Sequence, residues 1–278
     1  IGDFNTLSVQ ELVDDVLVLV AEGTDDKVIL PAKEVLEPLA VDDNVIVFVY
    51  RNRDVLMATL KQPLAKANEV AFLQVVDVTS IGAFLNWGLP KDLLLPYSEQ
   101  GFRQEVGRYY LVYLYIDKAT HRIVASGNLN KFIKNREIDL NEWDAVDIII
   151  AEKHDLGFKV IVNHKHWGFL YENELFKPVK VGETHTAYVK KIREDGKIDL
   201  SLQPLGLAGI DQAAQDLLTQ LKDHDGFLPI HDKSAPELIS STVQMSKKSF
   251  KKAVGSLYKK RLISNDKEGI TLLEKSKK

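Results

Sequence analysis

Two segments of the chain combine aromatic side chains with nearby cations, the pairing that binds a strand of nucleic acid. The first segment contains Phe84, Trp87 and Tyr97, followed by Asp117 and Arg122. An aromatic ring can stack on the face of any base, and a cation can neutralise a backbone phosphate. We interpret these five residues as candidate contacts for single-stranded RNA.

The second segment repeats this combination with Phe169 and Tyr171, followed by Arg193 and Lys197. For any single aromatic residue, packing in the core or at the mouth of a barrel is the commoner explanation. As a set facing one groove, the four residues are better explained by base stacking with neutralisation of the backbone. They are the second group of candidate RNA contacts.

A third group of cations stands near the C-terminus, with no acidic residue between positions 246 and 261. At 100° per residue, most of these lysines fall on one arc of a helix, beside an apolar stripe. Such a face could lie along a duplex or a structured RNA, whereas the alternative is a solvated helix face. The group consists of Lys247, Lys248, Lys251, Lys252, Lys259, Lys260 and Arg261.

The sequence has no motif typical of catalysis. It contains no cysteine, nucleophile elbow, phosphate-binding loop or pair of catalytic carboxylates. His164 and His166 would share one face of a strand, but no third metal ligand stands at a fixed spacing from them. We interpret them, like His154 and His185, as solvated, and we expect no enzymatic activity, no cofactor and no metal site.

The elements that position the first aromatic group are five short strands between Val70 and Asn128. A tight bend at Gly82 joins the first two strands, and a long connection joins the third to the fourth. This pattern predicts a small closed barrel, which buries one face and leaves no open edge. The strands are predicted at 75–79, 83–87, 93–95, 110–116 and 122–125.

Repetition of this pattern predicts a mainly β protein with a C-terminal α+β module, made of tandem five-stranded OB-type barrels and a winged helix. The predicted domains are a degenerate barrel at 1–63, barrels at 64–137 and 138–204, and a winged-helix domain at 205–278. In the first barrel, strands are predicted at 15–21, 27–31, 44–50 and 55–59, with the first five residues left outside the fold.

The net charge of −4 is unevenly distributed along the chain. Residues 1–63 carry a net charge of −7, which favours a structural or protein-contacting first barrel because phosphates would be repelled. A weak RNA contact through Tyr50, Arg51 and Arg53 is the alternative. Residues 205–278 carry +4.

The winged helix is predicted from three helices and a hairpin. Ile210, Leu217 and Leu221 recur at helical spacing in the first helix, which Gly226 ends. A capping box of Ser234 and Glu237 starts the second helix. Ser246 caps the third, whose apolar stripe contains residues 250, 254, 257 and 258, and a hairpin follows at 262–273.

The run from IGAF through GLPKDLLLPYSE and VGRYYLVYLYID to HRIVAS resembles an S1 domain, the OB-type RNA-binding barrel of ribosomal protein S1. The resemblance places the ligand face of this barrel on Ile81, Phe84, Pro96, Asp117 and Arg122. In the next barrel, which ends in GKIDLSLQP, the resemblance implies a ligand face made of Leu156, Lys159, Tyr171, Arg193 and Lys197, flanked by Trp167 and Phe169.

The chain as a whole resembles the conserved virulence factor B family, most specifically in DGFLPIHDKSAPELIS and SKKSFKKAVGSLYKKRLI. The resemblance implies a bacterial, cytoplasmic RNA-binding protein without catalytic activity, which regulates gene expression, including virulence, after transcription. A cytoplasmic location also agrees with the absence of cysteines and of any long apolar run.

Three hypotheses remain open. In the first, the second and third barrels hold single-stranded RNA with help from the basic winged helix. In the second, the winged helix binds duplex DNA as a regulator and the barrels contact proteins. In the third, the chain is a scaffold on ribosomal or RNA-degradation machinery. None of the three involves a membrane.

Overall fold

The computed structural model describes residues 1–172, 175, 178–202 and 212–273. The chain divides into two compact units. Unit 1 consists of residues 1–134 and 164–166, and unit 2 consists of residues 135–163 and 167–278. Over the described residues, no helix is both long enough and apolar enough to span a membrane. The predicted fold class is confirmed, because three five-stranded barrels or near-barrels precede a winged helix.

The first barrel, in unit 1, is complete. Its strands are β1 (Phe4–Val13), β2 (Val16–Val20), β3 (Val28–Pro31), β4 (Asn44–Asn52) and β5 (Val55–Thr59), closed in the order β1-β2-β3-β5-β4. The prediction of a shortened barrel without the first five residues is therefore wrong. Strand β1 was missed because only Leu7 and Val9 of its ten residues point into the core, between polar neighbours.

The second barrel has the five predicted strands and is nearly closed. They are β6 (Val70–Thr79), β7 (Gly82–Asn86), β8 (Leu93–Pro96), β9 (Tyr109–Ile116) and β10 (Ile123–Ser126), in the sheet order β10-β9-β6-β7-β8. Gly82 has a φ of 151°, and a Cβ there would lie 2.3 Å from the carbonyl oxygen of Leu95. Only glycine permits this close approach of two backbones.

The third barrel, in unit 2, is closed in the same strand order as the first. Its strands are β11 (Ala145–His154), β12 (Gly157–Val162), β13 (His166–Tyr171), β14 (Thr184–Ile192) and β15 (Ile198–Ser201). Gly157 repeats the role of Gly82, because a Cβ would lie 2.0 Å from the carbonyl oxygen of Leu170. His166 is buried, and its Nδ1 lies 3.0 Å from the carbonyl oxygen of Lys134, so its interpretation as a solvated histidine is wrong.

The two barrels of unit 1 share part of their cores. Phe48 of β4 points out of the first barrel, yet it is fully buried in the cluster that forms the second barrel's core. Its ring centroid lies 5.9 Å from that of Trp87 in an edge-to-face arrangement, which is a favourable geometry for aromatic pairs. This contact fixes the two barrels of unit 1 to each other.

The winged helix begins with α1 (Gln212–Asp223) and β16 (Phe227–Leu228). It continues with α2 (Pro236–Val243), α3 (Lys247–Lys259), β17 (Ile263–Asn265) and β18 (Ile270–Leu272), and its sheet order is β16-β18-β17. Its core includes Leu217, Leu221, Phe250 and Leu257, at the predicted helical spacing. Ile210, which was assigned to the first helix, lies outside the described residues.

The N-termini of α2 and α3 can be compared with the predicted caps. Ser246 caps α3 as predicted, because its hydroxyl oxygen accepts a hydrogen bond from the backbone N–H of Ser249 at 3.1 Å. The capping box at α2 is wrong. Ala235 occupies the N-cap position, and the hydroxyl of Ser234 accepts a bond from the His231 N–H instead.

Candidate nucleic-acid interface

The outer face of the third barrel contains a cleft of about 570 Å³, which we call the third-barrel cleft. It lies within unit 2 and collects aromatic, cationic and acidic side chains from four strands and their connections. The cleft is lined by Asn135, His154, Leu156, Lys159, Trp167, Gly168, Phe169, Tyr171, Arg193, Asp195, Lys197, Ile198 and Asp199. All four candidate residues of the second sequence group are therefore brought together.

The aromatic side chains share this face because of the alternation along β13. Gly168 and Leu170 point into the core, whereas Trp167, Phe169 and Tyr171 are half-buried on the outer face. The ring centroids of Phe169 and Tyr171 lie 4.9 Å apart in an edge-to-face arrangement. Strand β13 thus provides a row of three rings whose outer surfaces line an open cleft.

The cations of this cleft are held by neighbouring side chains. The Nζ of Lys159 lies 3.8 Å from the centroid of the Trp167 ring. Arg193 donates from Nε to Asp199 Oδ2 at 2.9 Å and from Nη2 to the Tyr171 hydroxyl. The hydrogen bond to Asp199 raises the pKa of Arg193 above its ordinary value, so its charge is fixed. The cleft therefore presents an oriented guanidinium beside an aromatic row.

Lys197 lies at the rim of the cleft, where its Nζ is 2.8 Å from Asp195 Oδ2. The hydrogen bond from Lys197 lowers the pKa of Asp195 below its ordinary value. Both side chains are largely exposed, so solvent screens this pair and the lysine can exchange it for a phosphate at little cost. Sequence reasoning missed Asp195 and Asp199, which also line the cleft. Acidic residues in and beside a turn are typical of the turn itself, so they did not indicate a binding site.

His154, which was predicted to be a solvated histidine, is exposed and also lines this cleft. It ends β11, and its ring centroid lies 6.3 Å from that of Phe169. The signal was weak because the pairing of β11 with β12, rather than a local motif, brings the histidine to this face. Among the described residues, no group of three or more histidines and carboxylates is placed to hold a metal ion.

A second cleft, of about 340 Å³, lies within unit 1 and is lined by both of its barrels. We call it the interbarrel cleft. Phe84 is half-buried there and Arg122 is exposed, so these two candidate residues are brought together. Its lining consists of Tyr50, Arg51, Asn52, Arg53, Ile81, Phe84, Trp87, Lys91, Asp92, Leu93, Leu94, Arg122, Ile123 and Val124.

Trp87 is not a base platform in this structure. Its side chain is only 4% exposed, packs against Phe48, and donates from Nε1 to the carbonyl oxygen of Lys91 at 2.6 Å. Stacking on a base would require a free ring face, which the packing of the two barrels removes. The prediction of an RNA contact at Trp87 is therefore wrong.

Tyr97 and Asp117 lie outside the lining of the interbarrel cleft. The Tyr97 ring is half-exposed, and its hydroxyl donates to the carbonyl oxygen of Thr79 at 2.7 Å. Asp117 accepts hydrogen bonds from the Thr120 hydroxyl and backbone N–H, which lower the pKa of its carboxyl group. Asp117 thus stabilises a turn. Its backbone N–H donates to the carbonyl oxygen of Arg122 at 2.8 Å, but its carboxyl group is engaged by Thr120, and neither Tyr97 nor Asp117 lines the cleft.

The basic face of α3 is exposed over most of its length. Lys248, Lys251, Lys252, Lys259 and Arg261 are exposed, and Lys247 and Lys260 are half-buried. The carboxylate of Asp232, on another element, lies close to this group. The pKa of Asp232 is lowered first by a hydrogen bond from Asn265, and further by the charges of Lys233 and Lys251.

Two family models match the chain. Residues 1–61 match the S1 domain, and residues 215–272 match the CvfB-like winged helix domain. The S1 match thus falls on the barrel that sequence reasoning treated as degenerate. Together with the barrel folds and the aromatic and basic clefts, these domains define a protein of the nucleic-acid-binding class.

The predicted resemblance to the conserved virulence factor B family is confirmed. The chain is 29% identical over 255 residues to conserved virulence factor B of Staphylococcus aureus strain USA300, which covers 86% of this chain and 82% of that protein.

Solved structures are also similar. A multidomain protein with nucleic acid binding domains from Streptococcus pneumoniae is 24% identical, with 98% of each chain covered and a TM-score of 0.40. A chain of the a/eIF2alpha–aDim2p–rRNA complex from Pyrococcus horikoshii is 17% identical, covering 31% of this chain and 64% of that chain, with a TM-score of 0.23.

Proposed function

We propose that this protein binds single-stranded RNA in the third-barrel cleft and acts in the cytoplasm as a non-catalytic regulator of gene expression after transcription. The observation that carries the proposal is the row of Trp167, Phe169 and Tyr171 beside Arg193 and Lys197. Rings that can stack on bases and cations that can bind phosphates line the same cleft, and a nucleotide strand is held by this combination.

An unpaired strand fits this cleft better than a duplex. The three rings are half-buried on the barrel surface, so a base reaches them only when it is free of its own stack. Single-stranded RNA offers such splayed bases, whereas the grooves of a duplex present base edges and phosphates. The volume of about 570 Å³ is within the range of ligand sites, roughly 300 to 1,000 Å³.

The test is a double substitution that removes two rings without changing charge. In Phe169→Ala/Tyr171→Ala we expect the affinity for a short labelled single-stranded RNA to fall at least about 30-fold, because each of the two base stacks contributes about 1 to 3 kcal/mol. Fluorescence anisotropy measures the Kd, and thermal unfolding checks that the barrel remains folded.

A matched control is available in the second barrel. Phe72 and Tyr109 form another surface pair of the same residue types, with ring centroids 5.5 Å apart and outside both clefts. Phe72→Ala/Tyr109→Ala should leave RNA affinity unchanged. Equal affinity for RNA in the two double variants would refute the proposed site.

The basic face of α3 supports a second candidate function, a DNA-binding regulator that uses its winged helix. Changing Lys247, Lys248, Lys251 and Lys252 to Glu separates the two functions. If the barrels hold RNA, the variant binds single-stranded RNA more weakly but measurably. If α3 is the main binding element, binding of both duplex DNA and RNA is abolished. Gel-shift assays with both probes distinguish the outcomes.

The cellular part of the proposal has its own test. Crosslinking to total RNA in bacterial cells, followed by mapping of the attached peptides, should recover peptides of β13 and of residues 193–197. Recovery of crosslinks from α3 peptides alone would favour the winged helix as the binding element. Cell fractionation should find the protein with the cytoplasmic fraction.

A further inference from the structure

We propose that the first barrel takes part in RNA binding, by supplying Arg51 and Arg53 to a phosphate site that it shares with the second barrel in the interbarrel cleft. The inference rests on the proposed function, because the ligand is a further part of the same RNA strand. It assigns a binding role to a barrel whose net charge of −7 favours a purely structural or protein-contacting module.

The turn between β4 and β5 carries these cations. Arg51 and Asn52 end β4, and Arg53 continues the turn with a left-handed backbone, at a φ of 54°. Both arginines line the interbarrel cleft together with Phe84 and Arg122 of the second barrel. The tip of a first-barrel hairpin therefore completes the ligand face of its neighbour.

The turn is fixed to the second barrel by two contacts. The Nζ of Lys91 donates to Asn52 Oδ1 at 2.6 Å, and Phe48 of β4 packs on Trp87. A site built on positioned elements loses less freedom when the ligand binds. The same contact that buries Trp87 thus brings the arginines to Phe84 and Arg122.

The charge of the cleft points to an anion. Arg51, Arg53, Lys91 and Arg122 line it, against a single carboxylate, Asp92. Among the described residues, none of the three arginines forms a salt bridge with an acid.

Arg51 has a further property that points to a missing acceptor. Its Nε is buried and has no hydrogen-bond partner among the described residues. A buried donor without an acceptor is unfavourable, and a phosphate oxygen accepts from a guanidinium in a charge-assisted bond. Because the half-buried ring of Phe84 stands in the same cleft, a phosphate attached to a base fits the site better than an acidic peptide does.

The test is the salt dependence of RNA binding by Arg51→Gln/Arg53→Gln. Each phosphate contact to a single strand contributes about 0.7 to the slope of log affinity against log salt, so two lost contacts lower the slope by about 1.4 and weaken binding about 25-fold at about 0.1 M salt. Arg53→Gln alone, at an exposed position, should weaken binding about five-fold by the same relation.

The matched control is Lys27→Gln/Lys33→Gln, which removes the same charge from exposed positions of the same barrel outside the cleft. It should leave the slope unchanged. The inference is overturned if the slope falls equally in the arginine variant and in the control, or if it falls in neither. An unchanged slope in a folded Arg53→Gln variant would also overturn it.

Failure of this inference is distinguishable from failure of the proposed function. Suppose that the unchanged protein binds RNA, that Phe169→Ala/Tyr171→Ala weakens binding, and that the arginine variants do not. The proposed RNA site in the third-barrel cleft is then supported, and the shared phosphate site is refuted. If the unchanged protein binds no RNA, both are refuted. If an acidic peptide displaces no RNA while the arginine variants lower the slope, the cleft contacts the RNA strand as proposed.

Discussion

The third strands of the second and third barrels follow the same course but carry different side chains on the outer face. In β13 the outward positions are Trp167, Phe169 and Tyr171, whereas in β8 they are Leu94 and Pro96. The bends at Gly82 and Gly157 are equivalent, because each would place a Cβ against the backbone of that third strand. The two barrels therefore share a scaffold and differ in what it presents.

From this difference in side chains we infer that the two clefts would contribute differently to the proposed RNA binding. The third-barrel cleft presents rings and holds its cations through Asp199, Asp195 and a ring. The interbarrel cleft has one half-buried ring, Phe84, and gains cations from another barrel. We therefore expect stacking to dominate in the third-barrel cleft and charge to dominate in the interbarrel cleft.

The largest expected effect concerns the two tryptophans that distinguish these clefts. Trp87→Ala should destabilise unit 1 by about 3 to 5 kcal/mol, because it leaves a cavity against Phe48 in a shared core. Urea unfolding measures the change, with Trp167→Ala as a comparison that should lose far less stability. A stable Trp87→Ala variant with lost RNA affinity would contradict the assignment of Trp87 to the core.

The next effect is on binding rather than stability. Trp167→Ala should weaken binding of single-stranded RNA by about 1 to 3 kcal/mol, through loss of one stacking surface. The slope of log affinity against log salt should stay unchanged, since no charge is removed. A salt titration by anisotropy checks both, with Phe72→Ala as control. A changed slope would mean that Trp167 acts mainly by positioning Lys159.

The smallest expected effect separates the ring of Tyr171 from its hydroxyl. Tyr171→Phe keeps the ring and removes one acceptor of Arg193, which still donates to Asp199. RNA affinity should fall by no more than about five-fold, since a hydrogen bond contributes a net of about 1 kcal/mol. If Tyr171→Phe lost as much RNA affinity as Tyr171→Ala, the hydroxyl would contribute mainly by orienting Arg193, and the ring would contribute little.

Local pattern was sufficient for most of the fold and for the placement of the β13 rings on one face. The strands of the second barrel, the Ser246 cap and the apolar stripe of α3 follow from residue spacing within a few positions. The period of two along β13 likewise places its rings on one face. These features are predictable because the groups involved are neighbours in sequence. The predicted domain limits stay predictions.

The errors have a common physical cause. Strand β1 has few core residues. The Ser234 hydroxyl accepts a hydrogen bond from the His231 N–H instead of capping α2. Trp87 is a residue type suited to stacking on a base, and no residue near it in sequence indicates that its ring packs against Phe48. In each case a contact or a sheet pairing outside the local pattern decided the outcome.

The sequence by itself determined the barrels, the winged helix and the outward row of Trp167, Phe169 and Tyr171, because side-chain alternation and helical period are local properties of the chain. The tertiary structure alone decided that Trp87 is core and that Arg51 and Arg53 stand beside Phe84. Alternation tells which residues face outward from a strand, but only the packing of one barrel on another decides whether that outer face meets solvent, a ligand or protein.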